Sequence, residues 1–240
     1  MVTAVNDQLW IPGALRKPLA QGNDPDIVPV GAIFHVAVSE APSLLGAYQH
    51  RADGVESTGY IRRDGTIEQY RPVNVECDAQ WDGNSFGWPR RRGFTSWETQ
   101  GMGDGEWTPE QLAAIKRIVL FHYAQWGVPL RQAPAWNRAG FGYHSLFDRW
   151  NKSHHTCPGP ARIAQWHSHI APHLASWAAP PAATASPSPG HLTLVERARA
   201  DLTNALDLLD RAVAGGRVGP VQDSRDALKQ ALAQHPLPRK

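Results

Sequence analysis

The chain has 240 residues, a formal net charge of +2 and a pI near 8.6. That length holds one substantial core and a small appendage, and is too short for two full enzymatic domains. Its charges are interspersed, so no basic face marks a nucleic-acid partner; the densest cluster, Arg90 to Arg92, reads as a solvated loop. No charged segment followed by an apolar one opens the chain, and no apolar run approaches the ~18 residues of a membrane span. The expectation is a soluble chain made in the cytoplasm, without a signal peptide or membrane insertion. Cys77 and Cys157 are the only cysteines. Cytosolic synthesis keeps both reduced at first, and a single bridge between them is the alternative.

In chain order, Gly31 to Val38, "GAIFHVAV", is a short apolar run that predicts a buried strand with His35 inside it. Gly59–Arg62 and Thr66–Tyr70 flank Asp64-Gly65, a pair that predicts a hairpin with a type I′ turn. Thr95 to Gly101, "TSWETQG", predicts another short strand. Thr108-Pro109-Glu110-Gln111 supplies an N-cap, a proline at the first helical position and a capping-box partner. Leu112, Ile115, Ile118, Val119 and His122 follow at helical spacing and carry that helix to about Trp126. A further helix is expected from Pro160 to about Trp177. The fold class is therefore α/β, a mixed central β-sheet flanked by helices, over residues 1–177.

Ala178 to Gly190, "AAPPAATASPSPG", has no hydrophobic period and reads as a Pro/Ala/Ser linker. Beyond it, over residues 191–240, Thr193 to Glu196 is a second capping box. Val195, Leu202 and Leu209, with Ala198, Ala205 and Ala212, form a helical stripe before Gly215-Gly216. The expectation is a helical hairpin too small to bury a large core alone, which would dimerise the chain, dock, or help bind a wall.

Position, rather than the number of histidines, selects the chemistry. An imidazole in the apolar strand at His35 needs a hydrogen-bond partner or a metal, the bland alternative being a satisfied core histidine. Cys157, in "HHTCPG", is a structural thiol, half of a disulfide or a metal ligand. "GYH", Gly142 to His144, lies thirteen residues before it on a glycine-rich segment. His35, His144 and Cys157 together make a two-histidine, one-cysteine set of the kind found at catalytic zinc, with the fourth position open. No spacing typical of a four-ligand structural zinc site is present.

The motifs "IFHVAV", "YIRRDGTIEQYRP", "DAQWDGN", "SWETQG", "GFGYH" and "HHTCPGPARIAQW" resemble, in order and approximate spacing, those of the zinc-dependent N-acetylmuramoyl-L-alanine amidases. That family shares its fold with the peptidoglycan recognition proteins and includes many phage endolysins. "LWIPGALRKP", Leu9 to Pro18, is similar to the start of endolysins from phages of actinobacteria. The resemblance covers roughly residues 9–177. It implies zinc bound by His35, His144 and Cys157, with Glu98 of "SWETQG" as the general base. Zinc lowers the pKa of water toward ~7, and a carboxylate in reach can take its proton and later deliver it to the leaving amine. The bland alternative is an idle strand glutamate. Where many members carry a lysine two residues before the last ligand, this chain has His155, an oxyanion donor by implication, with His154 an adjacent competitor. Where members often read Trp-His-Ala-Gly, it has Trp81-Asp82-Gly83. Among Trp81, Trp88, Trp97 and Trp136, one or two are expected to stack on substrate and the rest to lie in the core or rim.

The implied activity is hydrolysis of the amide between N-acetylmuramic acid and L-alanine in peptidoglycan, by an endolysin with no organic cofactor. A non-catalytic peptidoglycan-binding module and a cytoplasmic muropeptide-recycling amidase are the alternatives. Zinc content separates the first from an enzyme, and substrate size separates the second from a wall hydrolase.

Overall fold

The computed structural model describes residues 9–20, 24–50, 56–87 and 90–178. The apolar run around Ile33 lies inside a six-stranded sheet of order β1-β4-β3-β5-β2-β6. The strands are β1 (Leu15–Arg16), β2 (Val28–Phe34), β3 (Gly59–Ile61), β4 (Ile67–Gln69), β5 (Arg92–Thr99) and β6 (Gly140–Tyr143), with a short helix α1 (Leu45–Gln49) between β2 and β3. Among the described strand pairs, only β3–β4 is antiparallel. The mixed α/β expectation holds. Ala32, Ile33 and Phe34 are wholly buried, as a strand covered on both faces requires, so β2 reads as a continuous apolar run rather than an alternation.

The two faces carry separate clusters. Ala32, Phe34 and Trp97 pack with Ile115, Ile118 and Val119 of helix α2 (Pro109–Trp126), while Ile33 and Phe94 pack with Val30, Ala133 and Trp150. Each large side chain so buried contributes on the order of 2–3 kcal/mol. The α2 capping box forms as its sequence predicts, with Thr108 accepting from the Gln111 N–H and Gln111 Oε1 accepting from the Thr108 N–H. His122 is a satisfied core histidine, its ring held between Thr95 Oγ1 at 2.9 Å and the Ile118 carbonyl at 2.8 Å.

Several local expectations change. The hairpin forms, but its turn is not type I′. Gly65 N–H closes a turn onto Arg62 O at 3.0 Å, and only Gly65 has positive φ, 78°. Asp64 Oδ1 accepts the Thr66 N–H at 2.9 Å, which holds Asp64 at negative φ and leaves glycine the left-handed position of a three-residue loop. The strand containing Ser96 begins at Arg92 instead of Thr95, because Arg92 and Phe86 exchange both backbone hydrogen bonds; Arg92 is thus strand, not loop. β2 ends at Phe34, one residue before His35. The helical run from Pro160 is not uniform. It is α over α3 (Pro160–Gln165), widens to π over Trp166–Ile170 and tightens to 3-10 over Ala171–Ser176. Pro172 lacks an N–H and its ring crowds the carbonyl four residues back, which prevents a continuous α-helix there. The proposed linker beyond Ala178 and the C-terminal helices lie outside the described residues, as does Trp88.

Candidate metal centre

Three parallel strands deliver the candidate residues to one edge of the sheet. His35 follows the last residue of β2, His144 follows the last residue of β6, and Glu98 is the penultimate residue of β5. Open α/β sheets bind ligands at these carboxyl ends. Side chains alternate along a strand, so with Phe34 and Trp97 turned to α2, His35 and Glu98 emerge on the opposite face. Cys157 comes from the loop ahead of α3. The Ser145 N–H and hydroxyl both donate to Cys157 O, at 3.0 and 2.7 Å, tying that loop to the segment after β6.

A ligand atom from each of His35, His144 and Cys157 lies within 4.8 Å of the other two, and all three residues are buried. Cys157 Sγ is 3.9 Å from His35 Nδ1. Glu98 Oε1 is also 3.9 Å from that nitrogen. The second ring nitrogens settle which atoms face the centre. Gln80 donates through Nε2 to the Phe94 carbonyl, so its Oε1 is the acceptor that faces His35 Nε2 at 3.4 Å. His144 Nε2 donates to the Trp150 carbonyl at 2.6 Å. With both Nε2 atoms protonated, both Nδ1 atoms present lone pairs, and His144 Nδ1 is buried with no hydrogen-bond partner. Outward N–H bonds that fix the tautomer are the usual support for metal-ligating histidines.

The electrostatics agree with that use. Burial, with further lowering by the neighbouring imidazoles, holds His35 well below its ordinary pKa, and burial followed by His155 lowers His144 to about 4. Both rings are therefore neutral donors at physiological pH, as a metal requires. Burial, then the Glu98 charge, pushes the Cys157 thiol far up, and burial pushes Glu98 up to about 8. Two acids kept from ionising beside two neutral imidazoles form a set that a divalent cation would relieve. The residues fit a zinc ion.

Above them opens a cleft of about 400 Å³ lined by His35, Val38, Glu98, His144, His155 and Cys157, among others. Glu98 is 14% exposed into it, and its Oε2 has no hydrogen-bond partner. The His155 ring stands 5.0 Å from that of His144, edge to face. His154 turns away at φ 53°, 72% exposed and 3.9 Å from Asp148. Gly142 serves packing, since a Cβ there would lie 2.8 Å from the Trp150 ring. Of the tryptophans, Trp97 is core, Trp136 is partly buried beneath Arg149, and Trp81 is 51% exposed. Asp82 binds Arg149 and Lys152, each at 2.5 Å.

Both cysteines are free. Cys77 sits in the core, 3.2 Å from Thr58 Oγ1, with burial raising its pKa to about 12, the behaviour of an inert thiol. A second acidic group, Asp24, Glu56 and Asp78, gathers around Arg71, whose guanidinium pairs with Asp24 and Glu56 at 2.8 and 3.0 Å. Sequence reasoning passed over Gln80, the Trp150 carbonyl and Val38. Gln80 lies inside "DAQWDGN" and Val38 closes "IFHVAV", yet neither residue type marks its place at the site.

No protein-family model matches the sequence, and no curated protein matches it. Among solved structures, the chain is similar to the N-acetylmuramoyl-L-alanine amidase LysC from Clostridium intestinale URNW, at 17% identity over 64% of this chain and 93% of that one, with a TM-score of 0.49. It is similar to a selenomethionine derivative of AmpD at 18% identity, over 68% of this chain and 97% of that one, with a TM-score of 0.48. It is also similar to the Drosophila peptidoglycan recognition protein PGRP-SA at 11% identity, over 65% of this chain and 92% of that one, with a TM-score of 0.48.

Proposed function

We propose that the chain is a zinc-dependent N-acetylmuramoyl-L-alanine amidase that cuts the amide between the lactyl carboxyl of N-acetylmuramic acid and L-alanine in peptidoglycan. The observation that carries this reading is the convergence of His35, His144 and Cys157 at the floor of an open cleft, with the Glu98 carboxyl 3.9 Å from His35. Zinc, when bound, supplies a Lewis acid that polarises the carbonyl and acidifies water. Glu98 takes the proton of the attacking water and returns it to the amide nitrogen as the carbon–nitrogen bond breaks. Burial pushes its pKa up to about 8, close to the range in which a carboxyl can both take and return a proton near neutral pH. His155, on the cleft wall, donates to the oxygen that gains charge.

The proposal extends to the setting. A phage endolysin would gather in the host cytoplasm and meet the wall once the membrane is opened, and residues 191–240 would aid wall binding or self-association through the 178–190 linker. Among the described residues, no helix is long and apolar enough to cross a membrane, and every described residue falls in one compact unit. The deciding experiment is digestion of purified peptidoglycan followed by mass spectrometry, with zinc measured in the same protein. Free L-alanyl amino termini and about one zinc per chain are expected. Cleavage of glycosidic or interpeptide bonds, or intact peptidoglycan with a metal-loaded protein, would overturn the reading.

A further inference from the structure

Val38 has φ 49°, a left-handed backbone that a β-branched residue adopts only under constraint. The constraint is visible on both sides. Ala37 N–H donates to Thr99 O at 3.0 Å, Ser39 N–H donates to Gly101 O at 3.1 Å, and Gly101 N–H returns to Ser39 O at 2.9 Å. Ser39 Oγ also accepts the Ala41 N–H at 3.1 Å. The chain is clamped against the end of β5 and its continuation, and residue 38 absorbs the mismatch. Glycine or asparagine would fill that conformation at lower cost. Burial does not explain the valine either, because it is 61% exposed. Its isopropyl group gives an apolar element to the wall of a cleft whose floor is His35, Glu98 and Cys157.

We propose that Val38 is a specificity-determining residue, held in a strained conformation so that its isopropyl group meets a small aliphatic side chain next to the scissile amide. This rests on the amidase reading, in which that side chain is the methyl of L-alanine. A polar floor bound to the amide leaves the adjacent substituent directed toward the cleft wall, where a methyl group gains by contact with Val38 and a hydrogen atom does not.

The test compares wild type, Val38→Gly and Val38→Asn on N-acetylmuramoyl-L-alanyl-D-isoglutamine and on its analogue with glycine in place of alanine. Wild type is expected to favour the alanine substrate in kcat/KM by roughly 4-fold, the worth of one buried methyl group. Both variants are expected to lose that preference, the ratio of the two kcat/KM values falling toward one. Relief of strain should also raise their thermal midpoints, by about 2–4 °C. An unchanged alanine preference, or lowered midpoints in both variants, would overturn the proposal while leaving the amidase reading intact. If wild type cleaves neither substrate, peptidoglycan digestion tests the amidase reading separately, and the Val38 methyl NMR signals decide the contact. Their shift on titration with the alanine compound supports the contact, and their constancy sinks it.

Discussion

Gln80 fixes His35 from behind: its amide nitrogen donates to the Phe94 carbonyl, and its oxygen faces His35 Nε2 at 3.4 Å. The orientation of the amide is thus set by the β5 backbone, and it in turn sets which imidazole nitrogen carries the proton. Gln80→Met keeps the volume and removes the acceptor. The expected result is a 10- to 100-fold loss of zinc affinity, the usual cost of removing an outer partner from a ligating histidine. Competition against a chelator measures it, and nitrogen NMR of metal-free protein should show His35 shifting from one tautomer to a mixture. Equal affinity and an unchanged tautomer would reduce Gln80 to packing.

Glu98→Gln retains the shape of the side chain and removes the proton acceptor. Zinc should stay near one per chain while turnover on a muramyl peptide falls by roughly 10²–10⁴-fold, the range for a general base. The measurement pairs metal content with initial rates near neutral pH. Turnover close to that of wild type would show Glu98 to be an idle strand residue.

Acid stability reports on a different carboxylate. Glu68 is fully buried in β4, where desolvation raises its pKa but hydrogen bonds from Lys17, Ser43, Tyr70 and Arg62 outweigh it and bring it down to about 2. Folded, the group binds a proton less readily than in the unfolded chain, whose ordinary value is 4.5. Its stabilisation is therefore complete above the unfolded value and disappears as the pH falls toward the folded one. The contribution is on the order of 3 kcal/mol. Urea unfolding of Glu68→Gln should show lower stability than wild type at pH 6, and the gap should close as pH falls to ~3 and below. A gap independent of pH would mean that the partners do not hold the ionised form.

The elements legible in the sequence were those whose signals are local. Thr108 with Gln111 announces the start of α2, and the apolar run around Ile33 announces a buried strand, because caps and periodicity act within a turn or two of chain. The turn at Asp64-Gly65 misled because Asp64 spends its carboxylate on the Thr66 N–H, a choice that the dipeptide does not display. The change at Trp166 comes one turn and a half before Pro172, a breaker that the sequence does display. His35, His144 and Cys157 could be proposed together because their residue types narrow the chemistry, yet their approach to within 4.8 Å depends on the pairing of β2 with β6. Gln80, the Trp150 carbonyl and the strain at Val38 belong to tertiary structure alone. Nothing in local sequence marks a glutamine as the acceptor of an imidazole forty-five residues away.

The last prediction separates the neighbouring histidines. His154 projects outward beside Asp148, His155 lines the cleft next to His144, and His144 presents an unpartnered Nδ1 to the centre. His35→Ala, His144→Ala and Cys157→Ser should each lose stoichiometric zinc, since each removes one of three donors and leaves too few to hold the ion. His154→Ala should keep both metal and turnover. His155→Ala should keep metal and lose turnover by roughly 10²-fold, as for a lost oxyanion donor. Thermal stability should track the metal, because an ion that binds only the folded chain raises its unfolding free energy by mass action. Elemental analysis, calorimetry and initial rates on the same five proteins distinguish the roles: a fully metallated His144→Ala or a metal-free His154→Ala would reassign the ligands, and full turnover in His155→Ala would leave the oxyanion to another donor.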